Sequence, residues 1–193
     1  MRKKLLLLPA LLCAAGCLLW ALSPRPVLLD NDEPDADGGI EVEDGLVPMG
    51  EAPDSADPYA QFSDDQLNTL REVLDLVNAA RSEAGVSPLE LNAALCGAAQ
   101  VRAQECTQGL SHTRPDGSSY KTAITQAGVS SGYTGENAAT GHSSAQQVVD
   151  SWLRSEGHRK NILSENFTQL GVGFAPNTSG RYKGYAWVQL FVQ

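Results

Sequence analysis

Between residues 27 and 65 the sequence contains no Lys or Arg, and between residues 1 and 26 no Asp or Glu. The first absence leaves thirteen acids unbalanced; the second leaves four bases, Arg2, Lys3, Lys4 and Arg25. Taking both sets from the totals of 14 bases and 23 acids leaves ten of each in residues 66–193. The net charge of −9 therefore belongs to a tail. The balanced remainder lacks the clustered cationic footprint that nucleic-acid binding requires. Also missing are HExxH, a P-loop, GxGxxG and a CxxC pair, so the usual zinc-protease and nucleotide-binding readings lose their support. Cysteine is scarce: Cys13 and Cys17 lie near the N-terminus, which leaves only Cys96 and Cys106 further along. If one helix carries both, their separation is about 15 Å, beyond the roughly 7 Å between Cα atoms that a disulfide tolerates. Small buried thiols are expected there, without the cation or helix N-terminus that would activate one.

What is present falls into three pieces. Arg2, Lys3 and Lys4 precede an uncharged apolar stretch from Leu5 to Leu22, the pattern of an export signal. That stretch is also just long enough to span a bilayer as a retained anchor. Ala14, Ala15, Gly16 and Cys17 resemble a bacterial lipoprotein processing box, in which the cysteine is acylated. Cleaved signal, retained anchor and lipoprotein stay open for residues 1–26, and each places the rest outside the cytoplasm, with membrane contact only through this segment. Residues 27–65, acidic and poor in apolar side chains, read as a disordered, self-repelling and extended linker. Residues 66–193 are of ordinary single-domain size.

Ser63 and Gln66 form a capping-box pattern, followed by Leu67, Leu70, Leu74 and Val77 at helical spacing until Gly85. A second helix, rich in small residues, is expected from about Asn92 to Gln108, stopped at Gly109. Pro115, Asp116 and Gly117 read as a turn and Ser119 to Ala127 as a short helix. Gly135, Glu136 and Asn137 are expected in a Gly- and Ser-rich loop. Another helix starts near Ser143 or Ser144 and buries Val148, Val149, Trp152 and Leu153. Leu170 to Ala175 and Tyr182 to Val192 read as a strand hairpin. In the second strand Tyr185, Trp187 and Phe191 occupy one parity and Ala186, Val188, Leu190 and Val192 the other. A strand apolar on both faces needs helices on both sides. The expected fold is therefore of the α+β class, a three-layer α/β/α sandwich.

All three histidines, His112, His142 and His158, lie in or beside polar, glycine-containing segments. Ser111-His112, Gly135-Glu136-Asn137, Trp152 through Gly157-His158-Arg159-Lys160-Asn161-Ile162-Leu163, Leu170-Gly171-Val172-Gly173 and Trp187-Val188-Gln189 occur in fixed order. In this the chain resembles the CAP superfamily, the cysteine-rich secretory, antigen 5 and pathogenesis-related 1 proteins, also called SCP-like extracellular proteins. His112 to Gly117 and the His-Arg-x-Asn-Ile-Leu run resemble its bacterial branch. The resemblance covers about residues 66–192 and implies a sandwich fold with a cleft of two histidines and two acids that can hold a divalent cation.

Carried onto this sequence, the implied metal-binding positions are His112, Glu136 and His158. The second acid is absent: Ser155 stands where many members have Glu, with Glu156 and His142 as conceivable substitutes. Two imidazoles and one carboxylate suit zinc and leave a position for water. Two other readings stand beside this: a metal-free polar cleft in which Glu136 bonds a histidine, and a set of satisfied groups that bind nothing. The resemblance further implies a non-catalytic binding or signalling module outside the cell. Its ligand would be apolar, such as a lipid, or a cell-envelope component. A metal-dependent hydrolase and a purely structural surface protein are the rivals.

Overall fold

The computed structural model describes Val27–Leu28, residues 57–178 and residues 182–193. The leader, most of the acidic linker and part of the expected hairpin turn (Ser179, Gly180) lie outside the described residues. Described structure resumes inside the stretch read as linker. Tyr59 Oη donates to Leu91 O at 2.7 Å, and Phe62 packs against the core. Both residues that flank the 29–56 segment, Leu28 and Asp57, thus belong to the described fold.

Helix α1 (Asp64–Glu83) starts at the capping box: Ser63 Oγ accepts from Gln66 N, and Gln66 Oε1 accepts from Ser63 N at 3.0 Å. Its inward stripe is Leu70, Val73 and Val77, and it ends on a buried Arg81. That guanidinium donates to the carbonyls of Ser87, Ile162, Ser164 and Phe167. It therefore satisfies the buried carbonyls of Ile162 and Phe167 and ties them to the half-buried bonds at Ser87 and Ser164.

Helix α2 (Ala93–Cys106) is capped by Asn92, whose Oδ1 accepts from Leu95 N at 2.9 Å. A five-stranded sheet is built from β1 (Val27–Leu28), β2 (Glu90–Leu91), β3 (Thr134–His142), β4 (Gln169–Asn177) and β5 (Gly184–Val192). Their order is β1-β3-β5-β4-β2, antiparallel except for the β2–β4 pair. The two parities of β5 separate as expected. Trp187 and Phe191 face a core shared with α1, α4 (Ala145–Arg154) and α5 (Glu156–Ile162). Ala186, Val188, Leu190 and Val192 face α2 and the short helix α3 (Lys121–Gln126). The α/β/α sandwich read from the strand pattern is the fold.

Two glycines set the distance between α2 and the sheet. A Cβ at Gly171 would lie 2.4 Å from the backbone of Leu95, and one at Gly173 would lie 2.2 Å from that of Ala99. Only bare backbone fits under the small-residue face of α2.

Two expectations change, and one helix boundary that the sequence leaves open is set. Gly135, Glu136 and Asn137 lie in strand β3, not in a loop. Isolated β propensity of the run Thr134–His142 is poor, but pairing along β5 and cover on both faces override it. The helix after Trp152 ends at Arg154, and Ser155, with ψ 127°, starts α5 at Glu156. Finally, Cys106 does have a cation beside it, with Arg102 Nη2 at 3.9 Å. Burial still dominates and pushes the Cys106 thiol up to about 11. Cys96 and Cys106 are both free and buried.

Candidate functional site

His112 lies in the connection between α2 and α3, and that connection is braced on both sides. Arg114 donates to both carboxylate oxygens of Glu105, to Thr122 Oγ1 and to Gln126 Oε1. Asp116 Oδ1 accepts from the backbone and the hydroxyl of Ser118, and Gly117 supplies the left-handed turn at φ 86°. The Thr-Arg-Pro-Asp-Gly run after His112 is thus a clamp that fixes the backbone around the histidine. His112 O is held by Tyr120 N at 3.1 Å.

Behind the imidazole stands Glu136, on β3, with its side chain fully enclosed. His112 Nδ1 lies 2.7 Å from Glu136 Oε1, and Arg102 Nε donates to Glu136 Oε2 at 2.9 Å. The same guanidinium, 1% exposed, also donates to Glu105 and to Ser111 O, the carbonyl preceding His112. Burial alone would lower the pKa of Arg102. Its hydrogen bonds and charge pairing with Glu136 outweigh burial and raise it. A carboxylate that already accepts from a guanidinium can only accept from the imidazole as well. Nδ1 therefore carries a proton, and whenever the ring is neutral Nε2 is its lone-pair acceptor. Nε2 is sheltered from solvent and has no hydrogen-bond partner among the described residues.

His158 is buried on α5, where its Nδ1 lies 2.8 Å from Ser155 Oγ. The serine at the position of the missing family acid thus touches the same histidine. A second polar chain ties α5 to the sheet. Asn161 Nδ2 donates to Glu136 O and Asn137 Oδ1, while Asn137 Nδ2 donates to His158 O and Gln189 Oε1. Gln189, in the Trp-Val-Gln run, therefore serves this network.

The structure brings His112 and Glu136 into direct contact and links His158 to the same strand through Asn137. Among the described residues no three His, Cys, Asp or Glu side chains gather as a metal centre. Glu136 does not fit as a direct ligand, because both its oxygens are engaged by Arg102 and His112. It fits as the carboxylate that orients a histidine. Glu156 is exposed and lines an outer depression with Arg154 and Arg159. His142 closes the far end of β3, about 20 Å along the strand from Glu136 at roughly 3.3 Å per residue. It is buried, and neither ring nitrogen has a hydrogen-bond partner among the described residues. Burial, followed by the charge of Arg154, pushes its pKa down to about 4. Neither residue replaces the second acid at His112.

Arg102 is a site residue that the sequence motifs do not mark. Its signal was a guanidinium in an otherwise small and apolar stripe that faces the sheet. Gly128-Val129-Ser130-Ser131-Gly132 also spells the letters of a nucleophile elbow. It connects a helix to a strand, the reverse of the strand-to-helix turn that such chemistry needs, and Ser130 is exposed there.

Several known proteins are similar to this chain in sequence or in fold. YkwD of Bacillus subtilis (strain 168) is 35% identical over 124 residues, which span 63% of this chain and 46% of that protein. The membrane protein YlbC of the same organism is 31% identical over 110 residues, 56% of this chain and 32% of that protein. The chain thus matches less than half the length of either relative. Among solved structures, an extracellular protein containing a SCP domain from Bacillus anthracis str. Ames aligns with TM-score 0.59 and 27% identity. That alignment covers 68% of this chain and 44% of the other. An outer surface protein from Borrelia burgdorferi shares the fold at TM-score 0.55 and 21% identity, covering 63% of this chain and 89% of that one. Residues 74–191, which hold α2, β3, β4, all but the last residue of β5 and the His112, Glu136 and His158 positions, match CAP, the cysteine-rich secretory protein family, and the chain belongs to it.

Proposed function

We propose that the chain is an exported binding module of the cell envelope, not a turnover enzyme, and that its ligand engages His112 Nε2. One observation carries this reading: the Arg102–Glu136–His112 chain fixes the imidazole and leaves a sheltered acceptor with no protein partner among the described residues. A buried acceptor left unpaired is costly, and an incoming donor removes that cost. The ligand group at Nε2 is accordingly an N–H or O–H donor, such as the amides and hydroxyls of envelope polymers, or a cation. An extracellular site is supported by the apolar leader and by the description of the Bacillus anthracis relative as extracellular.

The residues present do not fit a three-ligand zinc centre. A cation would be held by the imidazoles of His112 and His158, with Glu136 orienting the first. Hydrolysis needs a general base beside the attacked bond. Glu136 is clamped by Arg102, and Glu156 faces outward.

Thermal unfolding of the full chain in detergent, with zinc chloride and separately with soluble peptidoglycan fragments, tests the reading. We expect one of the two to raise Tm by mass action and His112→Ala to abolish the gain, with the fragments recovered uncleaved. Cleaved fragments, or a Tm unmoved by both probes, would count against it.

A further inference from the structure

The α4–α5 side of the domain carries an exposed basic patch beside the point where the leader joins the sheet. Arg154, Arg159 and Lys160 are exposed, and Leu153 and Leu163 form the apolar floor between them. Glu156 is the one acid in this lining. Among the described residues neither Arg154 nor Arg159 makes an ion pair, in contrast to Arg102 and Arg114 on the α2 side. A domain with ten bases and ten acids thus gathers a local excess of cations here.

A second observation gives the patch a direction. Strand β1 pairs antiparallel with the edge of β3, Val27 opposite Thr140 and Leu28 opposite Ala139. The chain therefore enters β1 from the His142 end of β3. Arg154 stands close enough to that end to help lower the pKa of His142. The apolar stretch ends at Leu22, five residues before Val27. Five residues reach at most about 18 Å. With Leu22 at the membrane surface, Val27 at the β1–β3 edge lies within that distance of the lipid headgroups, on the side of the sheet end that Arg154 adjoins. The acidic residues between Asp30 and Asp54 follow β1 and are not placed between leader and domain, so they do not act as the spacer that their composition suggests.

We infer that the α4–α5 face docks on an anionic lipid surface, with Arg154, Arg159 and Lys160 at the headgroups and β1 acting as the short leash that orients it. The inference rests on the exported reading with the leader retained or acylated. Each net base near an anionic leaflet favours docking by about a factor of five. Three bases against one acid give roughly a thirty-fold preference for the docked orientation, which falls as salt shortens the screening length.

The test uses the full chain reconstituted into vesicles of phosphatidylglycerol and, separately, phosphatidylcholine. Lysine acetylation is read by mass spectrometry at Lys160, with Lys121 on α3, across the sheet, as the internal reference. We expect Lys160 acetylation to be at least five-fold slower on phosphatidylglycerol than on phosphatidylcholine, with Lys121 unchanged. Molar salt, or Arg154→Glu combined with Arg159→Glu, should remove the difference. Equal acetylation of Lys160 on both vesicles would overturn the inference while leaving the anchored reading intact, including where the chain's own acidic residues cover the patch on either lipid. A chain that fails to float with either vesicle would defeat the anchored reading, and this inference with it.

Discussion

Removing the Arg102 guanidinium would leave the Glu136 carboxylate fully enclosed with His112 as its only side-chain partner among the described residues. Breaking a buried pair from one side strands the remaining charge. Arg102→Met should therefore destabilise the fold by about 3–5 kcal/mol in urea unfolding. Arg102→Lys should recover only part of this, since an ammonium does not reproduce the guanidinium's fork of donors. His142 gives a prediction in pH. Burial holds its folded pKa at about 4, against about 6.5 in an unfolded chain. Its contribution is fully present above pH 6.5, and it is lost as pH falls from there toward 4, because the unfolded chain takes up the proton first. The loss amounts to at most about 3 kcal/mol. His142→Phe should flatten the decline of Tm between pH 6.5 and 4 without lowering Tm at pH 7.5; an unchanged acid limb would show that other groups set it. At this scale the sequence marked His112, Glu136 and His158 as a set, but not who holds them. The partners of Glu136 come from α2 and from the connection after it, a juxtaposition that only the folded sheet creates.

The elements were legible where their signals are local. Ser63 with Gln66, the helical stripe through Leu70 and Val77, and the two-sided apolar pattern of β5 each state a structure within a few residues. Strand β3 was not legible, because Thr-Gly-Glu-Asn-Ala-Ala-Thr-Gly-His has little intrinsic strand preference. It is extended because β5 pairs with it from Thr134 to His142. The Leu-Gly-Val-Gly run was visible as a resemblance, while its physical cause lies in the approach of α2. Gly173→Ala should push a Cβ into the backbone of Ala99 and cost at least about 2 kcal/mol, at the upper end of overpacking effects. Gly97→Ala on α2 itself meets only Gln61, at 3.6 Å. It should stabilise by roughly 0.5–1 kcal/mol through helix propensity. Equal effects of the two substitutions in urea unfolding would contradict the close-packing account of β4 and α2.

For the molecule as a whole, charge arithmetic separated a basic leader, an acidic segment and a balanced domain, and the two-faced strand gave the three-layer architecture. What arithmetic could not give is that Val27–Leu28 joins the sheet, because two residues carry no period to read. That pairing puts Val27, the residue that follows the acid-free segment 1–26, at the edge of β3. Under the docking inference α4 and α5 form the side nearest the lipid, while α2 backs the His112 site from the other layer. Binding at that site rests on one imidazole with one defined tautomer. Long-range proton–nitrogen spectra of the histidine rings measure this most directly. The account predicts a proton on Nδ1 and an unprotonated Nε2 for neutral His112, an assignment disturbed by Arg102→Met while the His142 ring is unaffected. A His112 ring protonated on Nε2, or one indifferent to the loss of Arg102, would contradict it.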